Sequence, residues 1–317
     1  MKTRVLWMLS AVALLWACAD EDPIENPNDP GVEGRYTQEV FASVTVQEVQ
    51  YDAANDLWYD VYMPENDDDT ERRVVILGHG GAFVGGNRKN DLMADYATRL
   101  AKYGYVVVSY EYRLAAGIND MLDSTSSIGV VARSLADATT VFDEIKASAS
   151  NGNPYGIDPM NMAIGGNSAG AVLALHMGYL DENDVISSNL QAALDAEGGW
   201  DSYYNPTAAT EVKAVISLAG GILKTHYLNS YGPQLIMAHG TWDNIVPYGC
   251  NNVLNFTQTA IELCGTQPLA IEAEARSITH AELLFPETQH CPWIDDLAIR
   301  DQLYDFLVTE LDEAMAP

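Results

Sequence analysis

The sequence predicts an α/β fold: a mostly parallel central sheet with helices on both faces. From about residue 36, short β-rich runs alternate with longer helical stretches. Most of those β-rich runs are apolar throughout and end in glycine, as strands buried on both faces do. The chain has 317 residues and is 48% hydrophobic, enough for one large domain with a well-buried core.

The first two runs, EVFASVTVQEV and LWYDVYMP, have no helix between them and predict an antiparallel edge pair. RVVILGHG, YVVVSYEY, MNMAIGG, KAVISLAG and PQLIMAHG follow as buried strands, and SITHAELLFPE offers a last one. Helices are predicted over DLMADYATRLAKYG, SSIGVVARSLADATTVFDEIKASAS, SAGAVLALHMGYL and the segment NNVLNFTQTAIELC. WIDDLAIRDQLYDFLVTELDEA closes the chain as an amphipathic helix. Residues 181–211 break the alternation. They follow a crossover helix, which runs back towards the amino ends of the strands, so they read as a peripheral insertion rather than a lid, despite Trp200, Tyr203 and Tyr204. Residues 221–233 leave the carboxyl end of a strand and so face a site built there, which makes His226 and Tyr227 candidate substrate contacts. Their length allows a loop or one turn and no large cap domain.

At the amino terminus, Lys2 and Arg4 precede about a dozen apolar residues, a pattern of secretory signals and too short to span a bilayer. LWAC, ending at Cys18, resembles a bacterial lipobox, whose cysteine is lipidated. Residues 1–17 are therefore read as a lipoprotein-type signal peptide, 18–35 as a flexible acidic tether, and 36–317 as the catalytic domain. The expected location is the outer membrane, facing the cell surface, with membrane contact only through the amino-terminal lipid. An ordinary cleaved signal, giving a periplasmic or secreted protein, is the alternative. Acidic residues outnumber basic ones 45 to 16, for a formal charge of -29, which argues against any nucleic-acid partner.

The chemistry centres on Ser168. A strand, then GNSAG, then a helix is the context in which Gly-x-Ser-x-Gly forms a nucleophile elbow: Gly166 and Gly170 lack the Cβ that would clash in the tight turn. The following helix opens with free amides and a positive dipole end beside the serine. Acyl transfer develops charge on the carbonyl oxygen, and fixed backbone N–H donors stabilise it. HGGAF at the end of an earlier strand supplies Gly81 and Ala82 for that oxyanion hole, and Ala169 supplies a third donor. His79 reads as a structural part of this loop.

A serine hydroxyl needs an imidazole to take its proton, and the imidazole needs a carboxylate to fix its tautomer. The order serine, acid, histidine selects Asp243, in the loop after one strand, and His290, in the loop after the last. His280, His239 and His226 rival the base; Asp295, Asp296 and Glu287 rival the acid. Trp242 and Trp293 flank acid and base and are candidate contacts for an aromatic or sugar portion of a substrate.

HGGAF, SYEYRLA, GIDPMNMAIGGNSAG and HGTWDNIVP, in this order from residue 79 to 247, resemble the α/β-hydrolase superfamily. Within it the motifs are most similar to carboxylesterases of the hormone-sensitive-lipase group. Ala82 stands where that group often has Gly, and Asn167 where it often has an acidic residue. The lack of an evident cap points also to the feruloyl and acetyl-xylan esterase types. The resemblance implies a serine esterase with the triad Ser168, Asp243 and His290, needing no metal or organic cofactor. It would act on small-molecule or polymer-attached esters, with acetyl or feruloyl esters of plant polysaccharide among them. A serine peptidase of the same fold and a non-catalytic surface binding lipoprotein are the alternatives. With Cys18 assigned to lipid, three cysteines remain. A helix between Cys250 and Cys264 would hold them roughly 20 Å apart at ~1.5 Å per residue. Convergence of the catalytic loops makes Cys250–Cys291 the candidate disulfide, with an unpaired buried pair as the alternative.

Overall fold

The apolar runs assemble side by side into one sheet. A computed structural model describes residues 34–204, 211–254 and 261–316, so the expected signal segment, Cys18 and nearly all of the expected tether lie outside the described residues. The strands are β1 (Val44–Asp52), β2 (Leu57–Pro64), β3 (Arg72–Gly78), β4 (Val106–Tyr110), β5 (Ile157–Asn167), β6 (Val212–Leu218), β7 (Gln234–Gly240), β8 (Cys250–Asn252), β9 (Glu262–Cys264) and β10 (His280–Phe285). The helices are α1 (Asp91–Lys102), α2 (Ile118–Leu122), α3 (Ser124–Ser148), α4 (Ala169–Tyr179), α5 (Ser188–Ala196), α6 (Thr266–Arg276) and α7 (Leu297–Met315). Eight strands form the main sheet in the order β1-β2-β4-β3-β5-β6-β7-β10. β1 pairs antiparallel with β2 and β2 with β4; every other pairing in that sheet is parallel.

Burial follows this arrangement. β3 and β4 are buried along their whole length, as strands covered on both faces must be. β1, at the edge, is mostly exposed and carries the polar residues that discourage further pairing. One face packs against α3, α4, α5 and α6 through residues such as Leu135, Val172, Leu190 and Leu269. The other packs against α1 and α7 through Met93, Tyr96, Leu303 and Leu307. Helix starts fall where a side chain satisfies the free amides: Asn90, Asp123, Ser187 and Asp296 cap α1, α3, α5 and α7.

The register builds the site. Gly78 of β3 aligns with Gly166 of β5, Asn167 with Leu218 of β6, and Gly240 of β7 with Phe285 of β10. The loops that follow these strands therefore emerge along one rim, at the carboxyl ends, where open α/β sheets bind ligands.

Two expectations are corrected here. The described ends of the segment before Cys264 are extended, not helical: Cys250 lies directly opposite Cys264 in the β8–β9 pair, with their Cα atoms 4.0 Å apart, and the two form a disulfide. Extended antiparallel strands bring together cysteines that a helix would separate, so Cys250–Cys291 is excluded and Cys291 is a free, buried thiol. The predicted insertion, residues 181–211, is peripheral only in part. Tyr203 and Tyr204 do anchor it to α3, with Tyr203 Oη donating to Ala132 O at 3.3 Å and the Tyr204 ring against Phe142. Its helix α5, however, brings Leu190 to the wall of the cavity at Ser168.

Candidate active site

Ser168 ends β5 and begins α4 with φ 53° and ψ −111°, a strained conformation for a residue with a side chain. The close packing that holds it there requires its glycines. A Cβ on Gly170 would lie 2.0 Å from the Gly78 carbonyl oxygen, and one on Gly166 would lie 2.4 Å from the Gly170 carbonyl carbon. The Ser168 amide donates to Leu218 O at 2.7 Å, tying the elbow to β6. The side chain makes no capping bond to α4, which leaves its hydroxyl for another partner.

That partner is His290. Its Nε2 lies 2.8 Å from Ser168 Oγ, and its Nδ1 lies 2.5 Å from Asp243 Oδ2. With a carboxylate on Nδ1, that nitrogen carries the proton and Nε2 is free to accept the serine's. Asp243 Oδ1 accepts from the amides of Ile245 and Val246 at 2.8 and 3.0 Å, so the acid also shapes its own turn. Burial pushes the Asp243 carboxyl up, but hydrogen bonds from His239 and His290 outweigh it and hold the group below the usual carboxylate range.

The HGGAF loop is held from behind. His79 is buried, stacks on Tyr112 with ring centroids 4.3 Å apart, and meets Gly80 O through Nδ1 at 2.8 Å. Burial lowers its pKa, and it plays the structural part the sequence assigned it. Ala82 and Phe83 both adopt positive φ, 53° and 60°, and Gly86 at φ 90° permits the loop's return, since a Cβ there would meet Gly80 O at 2.2 Å. Ala82 thereby borders both cavities that open at Ser168, Gly81 borders one and Ala169 the other.

The first cavity, of about 90 Å³, is almost wholly apolar; its walls include Phe83, Val131, Val172, Leu190, Leu223 and Leu263. His176 is the titratable side chain in that wall. Burial lowers its pKa to about 4, while Nδ1 meets Val172 O at 2.7 Å and Nε2 accepts the Leu223 amide at 3.2 Å. The second is an open cleft of about 720 Å³ bordered by Asn90, Asp91, His290, Ile294, Asp295 and Arg300. Among the described residues no group of His, Cys, Asp and Glu is placed to hold a metal ion.

The four candidate substrate contacts fare differently from Ser168, Asp243 and His290. Trp293 is fully buried behind the elbow, where its Nε1 donates to Asn167 Oδ1 at 2.8 Å; it supports the site and cannot touch a substrate. Tyr227 is buried away from both cavities, its ring against His176 and His226, and His226 is exposed outside them. Residue Leu223 of that loop reaches the cavity instead, because the 3-10 turn Thr225–Tyr227 carries the chain away from it. Trp242 is exposed beside Asp243 and borders neither cavity. Of the rivals, His280 opens β10 at its far end, Asp296 caps α7, and Glu287 is exposed. The sequence reading missed the cavity walls from α2, α3 and the β8–β9 hairpin; isolated apolar residues such as Met121, Ile128 and Ile261 carry no signal apart from core.

Fold and constellation define the class: an α/β-hydrolase with a serine–histidine–aspartate arrangement at the carboxyl rim of its sheet. Comparison with known proteins narrows it. The chain belongs to the BD-FAE family, whose profile matches residues 59–223. It is 28% identical over 127 residues to human (Homo sapiens) arylacetamide deacetylase-like 2, a match covering 39% of this chain and only 28% of that relative. Among solved structures it resembles Thermogutta terrifontis esterase 2 phosphoramylated by tabun, with a TM-score of 0.59 at 18% identity over 87% of this chain and 97% of the other. A truncated carbohydrate esterase from gut microbiota gives a TM-score of 0.58 at 19% identity over 86% and 97%. At such identities the structural likeness speaks for the fold.

Proposed function

We propose that this protein is a carboxylic ester hydrolase that works through an acyl-enzyme on Ser168. The observation that carries the reading is the continuous chain from Ser168 Oγ through His290 to Asp243, at 2.8 and 2.5 Å. His290 Nε2 takes the hydroxyl proton as Oγ attacks the ester carbonyl; Asp243 stabilises the imidazolium; the amides of Gly81, Ala82 and Ala169 receive the oxyanion. The tetrahedral intermediate collapses, the C–O bond to the alcohol breaks, and His290 returns its proton to the leaving oxygen. Water, activated by the same imidazole, then releases the acid.

The two cavities support a division of the substrate. The small apolar one suits the acyl group, and because both nitrogens of His176 are already engaged, it offers no free polar partner to a hydroxyaryl acid. An aliphatic acyl group therefore fits better than a feruloyl one. The wide cleft suits a bulky alcohol, including one attached to a polymer such as plant polysaccharide. Export, with Cys18 lipidated and the domain tethered at the cell surface, rests on the amino-terminal sequence. It is tested by radiolabelled palmitate incorporation with and without Cys18→Ala.

The direct test of the activity is hydrolysis of p-nitrophenyl acetate, butyrate and octanoate by a soluble form lacking residues 1–18, beside Ser168→Ala. Hydrolysis that disappears in the variant supports the reading. A folded protein inactive on all three esters transfers weight to a peptidase or binding role, and undiminished activity in the variant removes Ser168 from the mechanism.

A further inference from the structure

Asp243 has a second histidine. His239, at the end of β7 four residues before the acid, is fully buried, and its Nε2 lies 3.0 Å from Val246 O and 3.3 Å from Asp243 Oδ2. Two oxygens that only accept face that nitrogen, so it carries the proton. The opposite nitrogen, Nδ1, lies 3.1 Å from Thr266 Oγ1, a hydroxyl that donates to it and fixes the tautomer. Thr266 is itself fully buried at the start of α6. Oδ2, which binds the His290 imidazole, thus sits beside a second N–H, while the Val246 backbone is held on both sides of its Cα, its amide on Asp243 Oδ1 and its carbonyl on His239.

We propose that His239 is a positioning residue for the acid of the triad: it anchors the turn from Asp243 to Val246 and shares Asp243 Oδ2 with His290. The inference rests on the hydrolase reading above. It goes beyond it by assigning a role to a buried histidine that the acyl-transfer steps never use. Its consequence is electrostatic as well as geometric. A carboxylate oxygen that answers two imidazoles draws less strongly on the proton of either, so losing His239 leaves all of Oδ2 to His290 and favours the imidazolium. The other ionisable groups facing this cluster are Tyr248, whose ring lies 5.9 Å from that of His239, the buried Cys291 thiol, and Asp295 and Arg300 across the cleft from His290. None of them contacts Oδ2 through a hydrogen bond among the described residues.

The test compares His239→Leu, His239→Gln and Thr266→Val with the wild type, with active sites counted by fluorophosphonate titration. In His239→Leu, kcat per titrated site should fall about tenfold, a loss of about 1.4 kcal/mol. KM should stay within twofold, since His239 borders neither cavity. The acid limb of kcat/KM should move up by about half a pH unit, consistent with loss of one modest hydrogen bond. Gln, which can return an N–H to the same place, should restore most of kcat. Thr266→Val, nearly isosteric, should shift the limb the same way by less, and serves if the leucine variant fails to fold. An acid limb that stays put in every folded variant overturns the proposal, whether or not kcat falls. So does a KM effect in place of a kcat effect. The rate of fluorophosphonate labelling depends on the same triad. It therefore reads the effect even if no ester is turned over, which separates failure of this inference from failure of the esterase reading.

Discussion

Replacing Leu190 by alanine should lengthen the acyl chain the enzyme prefers. Leu190 reaches the apolar cavity from α5, and the cavity measures only about 90 Å³. Removing its isopropyl end gives the space of roughly two to three methylene groups to the substrate. Each methylene moved from water into an apolar wall contributes about 0.8 kcal/mol, close to a fourfold gain in kcat/KM. The octanoate-to-butyrate ratio of kcat/KM should therefore rise by roughly 15- to 60-fold, with most of the change in octanoate. The variant also loses core packing, since Leu190 is only 6% exposed and packs in the cluster over α3 and α4; a cost of about 2–5 kcal/mol is typical of buried leucines. Melting curves must therefore show that the protein is folded at the assay temperature. Initial rates on the p-nitrophenyl ester series then give the ratio directly. An unchanged ratio in a folded variant would refute both the role of Leu190 and the assignment of this cavity to the acyl group.

Three further outcomes follow from the geometry. His176 is buried and neutral, with a pKa of about 4 against an ordinary 6.5, so the unfolded chain binds the proton more readily. Its contribution is fully present above about pH 6.5 and is lost as pH falls towards 4, to a total of roughly 3 kcal/mol; denaturant melts from pH 7 to 4 should show a smaller decline in His176→Gln than in the wild type. The Cys250–Cys264 disulfide closes a separation of 14 residues, which corresponds to about 3 kcal/mol of stability by the loop-entropy relation. Urea denaturation of the double Cys→Ser variant should show that loss, together with a higher KM for butyrate, because the same hairpin carries Ile261 and Leu263 to the cavity. Gly86→Ala forces a Cβ to within 2.2 Å of Gly80 O at a φ of 90°. The displaced loop should cost on the order of 100-fold in kcat, as loss of one oxyanion donor does; a variant with wild-type kcat would remove the loop from the mechanism.

The sequence by itself determined the sheet and the meeting of Ser168, Asp243 and His290, because both depend on local rules. Strands such as KAVISLAG and PQLIMAHG declare themselves by unbroken apolar runs, and the glycines around Ser168 by a turn no other residue fits. Asp243 and His290 followed from chain order and from loops leaving strands in the same direction. What the tertiary structure decided were contacts between residues distant in sequence or outside any periodic pattern. The hairpin containing Cys250 and Cys264 reads as a helix from its apolar spacing, and only pairing across strands shows the disulfide. Trp293 beside His290 looks like a substrate platform, yet its indole fills space behind Asn167, since a residue's place in a loop does not fix which way its side chain turns. By type and spacing Leu190 is an ordinary core residue, and His239 stood out only as a rival for the base. Packing sets one against the apolar cavity at Ser168 and the other against Asp243, and packing is written in no short stretch of the chain.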